Sequence, residues 1–347
     1  MPRLAIVSSL CLALAGVAAP ALAQENAAVC KDESTPPDAA IAACSKIIQA
    51  SKAKTNDLAS TYYNRAIAYR QKNDLDNALS DYSDAIKINP KHARAFNNRG
   101  TIYKEKGDLD RAIADFSEAI RLDPKFTAAY FNRGNAYDDK GDAEKALADL
   151  EAAIKLDPKN AAALTVRGVV WKRKGDVERA VADFTQAIEL DPAYAMAYAN
   201  RGDALEEKGD SEKALADLVR AINLNPNSTR ALAVRGYLYR KKGDLDRAIV
   251  DYGEIIRIDP KSDEAYMRRS EAWLAKGDRL AALRDADEAV KLDPNSPVNY
   301  AARATVMRAL SRNDDAIADL RKALTLNPSE PRKRQLEGAL KELGATP

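Results

Sequence analysis

The residue types that most often carry catalysis or bind metals are scarce in this sequence of 347 residues. It contains one histidine, His92, and three cysteines, Cys11, Cys30 and Cys44. Zinc sites built on histidine and cysteine, histidine-dependent triads and iron–sulfur clusters need more such residues, so these classes are nearly excluded. Asp and Glu number 52, so an active site built from carboxylates alone stays open. We expect no metal site and no cofactor.

The charge balance argues against nucleic acid or an anionic membrane as the partner. Lys and Arg number 54, which gives a net charge of +2. A near-neutral surface offers little electrostatic attraction to polyphosphate or acidic lipid. Charged residues make up 31% of the chain and apolar residues 46%, which is the composition of a folded protein rather than of a disordered tail.

The N-terminal segment, residues 1–23, predicts a secretory signal peptide. A positive start at Arg3 precedes an apolar core at residues 4–17, and Pro20 with the Ala-Leu-Ala run at residues 21–23 supplies a small-x-small cleavage site. The alternative is an uncleaved anchor, because about 20 consecutive residues are largely apolar. We expect cleavage, no membrane span afterwards, and an exported protein that is either periplasmic in a bacterium or secreted.

The two cysteines that follow the predicted signal peptide favour a disulfide. Cys11 lies inside that signal, so the mature chain would hold only Cys30 and Cys44. An even pair in an oxidising compartment is typical of a structural bond. We predict a Cys30–Cys44 bond that ties the leader segment to the helix after it.

Prolines recur at one constant interval, which indicates an internal repeat. They stand at Pro90, Pro124, Pro158, Pro192, Pro226, Pro260, Pro294 and Pro328, so the period is 34. Units that end two residues after each proline give eight repeats over residues 59–330. Every unit has an alanine in the column of Ala112. A small residue recurs in every unit at the column of Gly100, and a ring or large apolar side chain stands three positions later, as at Tyr103.

Each repeat predicts two amphipathic helices separated by a turn. Apolar residues recur at three- and four-residue spacing on both sides of a Gly-Asp pair, such as Gly107-Asp108. The glycine can end the first helix in a left-handed conformation, and the aspartate can cap the second. The Asp-Pro or Asn-Pro pair at the end of each unit closes the second helix, since proline cannot continue it.

These columns resemble the tetratricopeptide repeat family. The resemblance rests on the period and on strings such as Asn98 to Tyr103, Ala112 to Phe116, and Asp123-Pro124. It implies an all-α fold, a right-handed superhelical solenoid of antiparallel helix pairs, with the first helices lining a concave groove. Asn73 and Ser311 replace the turn glycine in the first and last units, where repeats often differ because one face meets solvent.

The flanks of the repeats look like caps, which gives a predicted domain organisation. Residues 1–23 form the signal peptide, 24–58 an N-terminal cap with a half-repeat helix, 59–330 the eight repeats, and 331–347 a C-terminal capping helix. The half-repeat helix is expected from Pro37 to Ala50, and the last helix is expected after a cap at Ser329.

Arginine and aspartate each occupy one column in all eight units. A catalytic site would not be copied eight times, so we predict partly buried structural ion pairs between the two columns. The columns include Arg99, Asp115, Arg133, Asp149, Arg167 and Asp183.

Asparagine recurs in one column of the first helices, which the family resemblance places in the groove. It stands at Asn64, Asn98, Asn132 and Asn200, and Tyr63, Phe131 and Tyr237 are expected to add aromatic contact area in the same groove. An amide donates and accepts, so a spaced row can bond the backbone of an extended peptide. The alternative, which carries equal weight, is a set of hydrogen bonds between helices of the scaffold.

The predicted function is a non-catalytic protein–protein interaction scaffold outside the cytoplasm. Its partner would be a protein or an extended peptide bound along the groove of the solenoid. The alternative is an accessory factor or enzyme that handles cell-envelope carbohydrate, although no segment outside the repeats is long enough for a catalytic domain. The sequence names neither the partner nor the oligomeric state.

Overall fold

The computed structural model describes residues 24–32, 34–51 and 55–346, and all regular secondary structure in these ranges is helical. A helix over residues 24–31 (α1) and α2 (Pro37–Ala50) precede the repeats. The first helices of the pairs are α3 (Asn56–Gln71), α5 (Ala93–Glu105), α7 (Thr127–Asp139), α9 (Ala161–Arg173), α11 (Ala195–Glu207), α13 (Thr229–Lys241), α15 (Asp263–Lys276) and α17 (Pro297–Ala309). The second helices are α4 (Leu75–Ile88), α6 (Leu109–Leu122), α8 (Ala143–Leu156), α10 (Val177–Leu190), α12 (Ser211–Leu224), α14 (Leu245–Ile258), α16 (Arg279–Leu292) and α18 (Asn313–Thr325), and α19 (Glu330–Glu342) follows them.

The chain divides into two compact units, Met1–Val170 and Trp171–Pro347. In each unit, the two helices of a pair pack on each other and each pair packs on the next. Neighbouring first helices also touch, as α5 and α7 do in the first unit and α15 and α17 do in the second. The predicted all-α fold of tandem helix pairs is confirmed. The predicted signal peptide lies outside the described residues.

The turn inside each pair is built as the Gly-Asp columns predict. Gly209 has φ +89° and ends α11 in a left-handed conformation that costs glycine little. Asn73 and Ser311 adopt the same left-handed geometry, with φ 60° and 61°. The aspartate after each glycine caps the second helix, as when the Asp210 side chain accepts from the backbone N–H of Lys213.

Small residues let the two helices of a pair approach closely. A Cβ atom added to Gly202 would lie 2.8 Å from Leu218 Cγ and 3.1 Å from the carbonyl oxygen of Ala214. Such contacts are too short for a side chain, so α11 and α12 need glycine at this position. Leu218 and Ala214 are fully buried in the core that results.

The arginine column ties three helices together. Arg133 Nε and Nη2 donate to the two carboxylate oxygens of Asp149 at 2.7 and 2.8 Å, and Nη1 donates to Ser117 Oγ of α6 at 3.0 Å. These hydrogen bonds to Asp149 raise the pKa of the guanidinium. The same two-pronged geometry joins Arg65–Asp81, Arg99–Asp115, Arg201–Asp217, Arg235–Asp251, Arg269–Asp285 and Arg303–Asp319. Of the predicted Arg167 and Asp183, the arginine is half-buried in α9 and the aspartate is buried in α10.

Both flanks cover apolar surface. In the first unit, Cys30 and Cys44 are buried beside Ala43, and their Sγ atoms lie 2.14 Å apart. In the second unit, Leu336 and Leu340 of α19 join the core of the last helix pair. Ser329 stands at the N-cap of α19, but its side chain makes no capping hydrogen bond, contrary to expectation. Every helix in the described ranges is too short or too polar to cross a membrane.

Candidate partner-binding site

In the first unit, two asparagines of the predicted site donate to helices of the preceding repeat. Asn98 Nδ2 lies 3.2 Å from Tyr63 Oη and 3.4 Å from Tyr82 Oη. Asn132 Nδ2 lies 2.9 Å from Asn97 Oδ1. These are helix-to-helix bonds, which is the alternative role considered for the column. Asn98 and Asn132 are half-buried, so both remain accessible at the surface of the first helices.

Four residues of the first unit form a filled aromatic cluster, which we call the Tyr82 site: Tyr63, Tyr82, His92 and Asn98. The Tyr63 ring centroid lies 5.8 Å from that of Tyr82 and 4.7 Å from that of His92. Tyr82 is fully buried, and burial raises its pKa to about 12. His92 Nδ1 accepts from the backbone N–H of Ala95 at 3.2 Å and so caps α5. Burial lowers the pKa of His92, so the neutral ring is favoured.

The other predicted site residues lie apart from this cluster. Asn64 borders a small recess beside Cys30, and Phe131 is half-buried in α7. Asn200 belongs to the second unit, where it is only 4% exposed and donates to the carbonyl oxygen of Met196 at 3.0 Å. Its Oδ1 is buried with no hydrogen-bond partner among the described residues. Asn98, Asn132 and Asn200 each donate a hydrogen bond to a residue of their own unit.

The second unit contains an open cavity of about 410 Å³ bordered by three successive first helices. Its apolar lining includes Ala233, Val234 and Tyr237 of α13 and Ile255 of α14. Tyr237 is 38% exposed, which is unusual for so large a ring. The charged lining residues are Asp203 and Glu206 of α11, Arg230 of α13, and Glu264 and Arg268 of α15.

The charged groups around the cavity are mostly paired with one another. Asp203 accepts from Lys172 at 3.0 Å and from Arg230 at 2.7 Å. Burial opposes ionisation of Asp203, but these two bonds outweigh it and lower its pKa. Glu206 accepts from Lys241 at 3.1 Å. These exposed and half-exposed pairs shape the rim of the cavity and contribute little to stability.

The floor of the cavity holds a buried tyrosine, Tyr252, whose hydroxyl is closed off from the open space and lies near Arg240. Tyr252 is 1% exposed, and its Oη meets no hydrogen-bond partner among the described residues. Two other buried atoms nearby are also unsatisfied, Arg240 Nε and Glu271 Oε2. Glu271 Oε2 lies 3.6 Å from Arg240 and 3.7 Å from Arg268, beyond hydrogen-bond distance. Buried polar groups without hydrogen-bond partners are rare in folded proteins, so this cluster of charged and polar groups is unusual.

The cavity residues other than Tyr237 are not among the predicted site residues, because each looks ordinary in its own repeat. Ala233, Ser262 and Tyr252 stand in three different columns of the 34-residue unit. One sequence feature could have indicated the cavity. In the sixth repeat, small residues stand in the columns of Tyr63 and His92, while a tyrosine is kept in the column of Tyr82.

This arrangement can bind a side chain or a small group. The described residues contain no group of three or more histidine, cysteine, aspartate or glutamate side chains placed to hold a metal ion. The cavity is open to the surface of the first helices, so a ligand can enter without unfolding.

Sequence comparison identifies the repeat. A profile described as "TPR repeat" matches residues 66–107 and 100–141, and one described as "Tetratricopeptide repeat" matches residues 131–195, 172–229, 199–263 and 234–297. Together the matches cover residues 66–297, about two thirds of the chain. No curated protein sequence matches the chain.

Solved structures share the fold at low identity. A tetratricopeptide repeat protein from Parabacteroides merdae ATCC 43184 is 20% identical, with a TM-score of 0.55, over 71% of this chain and 98% of that one. A chain of the APC/C hetero-tetramer Cut9–Hcn1 is 16% identical, with a TM-score of 0.60, over 93% of this chain and 62% of that one. PilF of Pseudomonas aeruginosa is 18% identical, with a TM-score of 0.54, over 60% of this chain and 94% of that one. Together with the matched repeats and the observed helix pairs, these likenesses show that the chain belongs to the tetratricopeptide repeat family.

Proposed function

We propose that this protein is an exported, non-catalytic scaffold that binds a partner protein or an extended peptide along the groove formed by its first helices. Tetratricopeptide repeat proteins are typically non-catalytic scaffolds for protein–protein interaction, which supports this function. Tandem repeats offer a long surface on which neighbouring units present equivalent positions, and that suits an extended ligand.

The observation that carries the proposal is the cavity bordered by α11, α13 and α15. It opens on the first helices, combines apolar walls with charged rims, and exposes the Tyr237 ring. Exposed aromatic side chains beside a concave apolar surface are typical of binding sites, because they bury much area at low entropic cost.

Export is the second part of the proposal. The signal-like segment at residues 1–23 supports it, as does the pair Cys30 and Cys44, whose sulfurs lie at bonding distance in a buried site. We expect the mature chain to begin at Gln24 and to contain no free thiol after oxidative purification. Intact-mass analysis of the exported protein measures both, and an uncleaved chain with two free thiols would contradict export.

Site-specific photo-crosslinking in the native host tests the binding surface. A photoreactive phenylalanine analogue replaces Tyr237 on α13 in one variant and Val250, which is 62% exposed on α14, in the control. We expect a discrete crosslinked partner from position 237 and none from position 250. The same partner from both positions, or from neither, would refute binding along the first helices.

A further inference from the structure

The first and sixth repeats carry different side chains in the columns of Tyr63 and His92. The Tyr82 site has its counterpart five repeats later, in the second unit, where Ala233, Tyr252, Ser262 and Arg268 stand in the columns of Tyr63, Tyr82, His92 and Asn98. We call this set the Tyr252 site. The tyrosine of the second helix is thus kept, while the two rings beside it are replaced by small side chains.

The Tyr82 site shows how the chain itself occupies this place. A phenol ring and an imidazole ring pack together, with their centroids 4.7 Å apart, and an amide bonds the hydroxyl of the buried tyrosine. Every group has a partner: Tyr82 Oη accepts from Asn98, and His92 caps the next helix.

The Tyr252 site leaves the same place open. Ser262 keeps the capping role of His92, since its Oγ accepts from the backbone N–H of Ala265 at 3.3 Å, but it contributes no ring. Ala233 is exposed and reaches no further than its Cβ. Both residues border the cavity of about 410 Å³, and the buried Tyr252 forms part of its floor.

The walls of the cavity suit an aromatic ring. Val234, Ile255 and the exposed face of Tyr237 supply apolar contact area. Arg230 and Arg268 border the cavity, and guanidinium groups interact favourably with ring faces. Three carboxylates, Asp203, Glu206 and Glu264, also border it, so a negatively charged side chain would meet repulsion on entering.

We propose that the Tyr252 site binds an aromatic side chain, a tyrosine or a histidine, presented by the partner and packed against Val234, Tyr237 and Ile255. The incoming ring takes the place that Tyr63 and His92 fill in the first repeat. This inference rests on the proposed function, because it names the side chain through which the partner is held.

Capped amino acids test the site without a known partner. N-acetyl-tyrosinamide, N-acetyl-histidinamide, N-acetyl-phenylalaninamide and N-acetyl-leucinamide are titrated into the whole mature chain, and binding is followed by NMR. We expect the tyrosine or the histidine probe to bind about fivefold more tightly than the leucine probe, because ring contacts add to simple area burial. A leucine probe that binds as tightly as both would overturn the proposal.

Two variants locate the binding. Ala233→Tyr combined with Ser262→His copies the Tyr82 site, and we expect it to weaken binding of the preferred probe about tenfold or more by filling the cavity. The control, Val250→Tyr, adds a ring on an exposed part of α14 and should leave binding unchanged. Unchanged probe binding in the cavity-filled variant, with its helical circular dichroism intact, would overturn the proposal.

Crosslinking from position 237 in the cavity-filled variant separates this inference from the proposed function. Loss of the crosslinked partner supports both. A partner that still crosslinks shows that the first helices bind it without the cavity, so the inference falls and the proposed function stands. If the unmodified cavity yields no partner at all, the proposed function falls, and the probe titrations alone decide whether the cavity binds aromatic rings.

Discussion

The Tyr82 site and the Tyr252 site occupy equivalent positions in the first and sixth repeats, yet one is filled and the other is open. Both keep a tyrosine that is at most 1% exposed on the second helix, and both keep the ion pair that fixes the two helices. They differ only in side chains that project from the first helix and the turn. The repeat scaffold therefore tolerates a change of surface chemistry without a change of backbone, because the core columns are satisfied within each pair.

The surrounding repeats show the same trend. Rings occupy the columns of Tyr63 or His92 in each of the first four repeats, with Phe126, Phe131 and Tyr194 continuing the series. The next three repeats have no ring in either column. The column of Tyr63 holds Ala199, Ala233 and Met267 there, and the column of His92 holds Ser228, Ser262 and Ser296. The open cavity thus lies in a part of the chain whose repeats have no ring in these two columns.

The largest expected effect concerns what the two sites share. Arg65→Ala and Arg235→Ala each leave a buried carboxylate unpaired, since Asp81 and Asp251 side chains are 5% and 3% exposed. We expect each variant to lose about 3 kcal/mol of unfolding free energy. Urea denaturation of both should give similar losses. A clearly smaller loss for Arg235→Ala would mean that the scaffold itself differs between the two repeats.

A smaller effect separates the sites. Tyr63→Ala removes a half-buried ring and the acceptor of an Asn98 bond, so we expect a loss of about 2 kcal/mol. The reciprocal change, Ala233→Tyr, adds a ring to an existing cavity and should leave the urea midpoint nearly unchanged. If Ala233→Tyr destabilises the chain as much as Tyr63→Ala, the Tyr252 site is not a vacant copy of the Tyr82 site.

The smallest effect depends on pH. Burial lowers the pKa of His92 from its ordinary value of 6.5, so the unfolded chain binds the proton more readily than the folded one. Its contribution to stability is therefore full above pH 6.5 and is lost as the pH falls through the lower folded-state pKa. Protonation of Nδ1 also removes the cap of α5.

The matched control is His92→Ser, which copies Ser262 and removes the only histidine in the chain. We expect the free energy of unfolding of the natural chain, relative to this variant, to fall between pH 7 and pH 5. A difference that stays constant over this range would show that His92 does not titrate with folding.

Much of the scaffold was predictable because the determining interactions are local and repeated eight times. A glycine that ends a helix, an aspartate that caps the next one, and a proline that stops it act within a few residues of themselves. The pairing of Arg133 with Asp149 was also predictable, since two opposite charges recur at a fixed spacing in every unit. The domain boundaries and the processing of the signal-like N-terminal segment stay predictions.

The candidate site was less predictable because it depends on which side chains meet. The sequence showed an asparagine column but not that Asn98 is bonded to Tyr63 and Tyr82. It showed Tyr237 but not the cavity next to it. Whether an amide faces a ligand or a neighbouring helix depends on distances of a few ångströms between repeats.

The sequence by itself determined the repeat, the two helices of each unit, their turns and the residues that pack between them. Only the tertiary structure decided that residues from three columns, at positions 233, 252 and 262, border one cavity. The physical reason is that helix formation and capping are set by neighbours along the chain, whereas a cavity is space left between side chains that are distant in sequence.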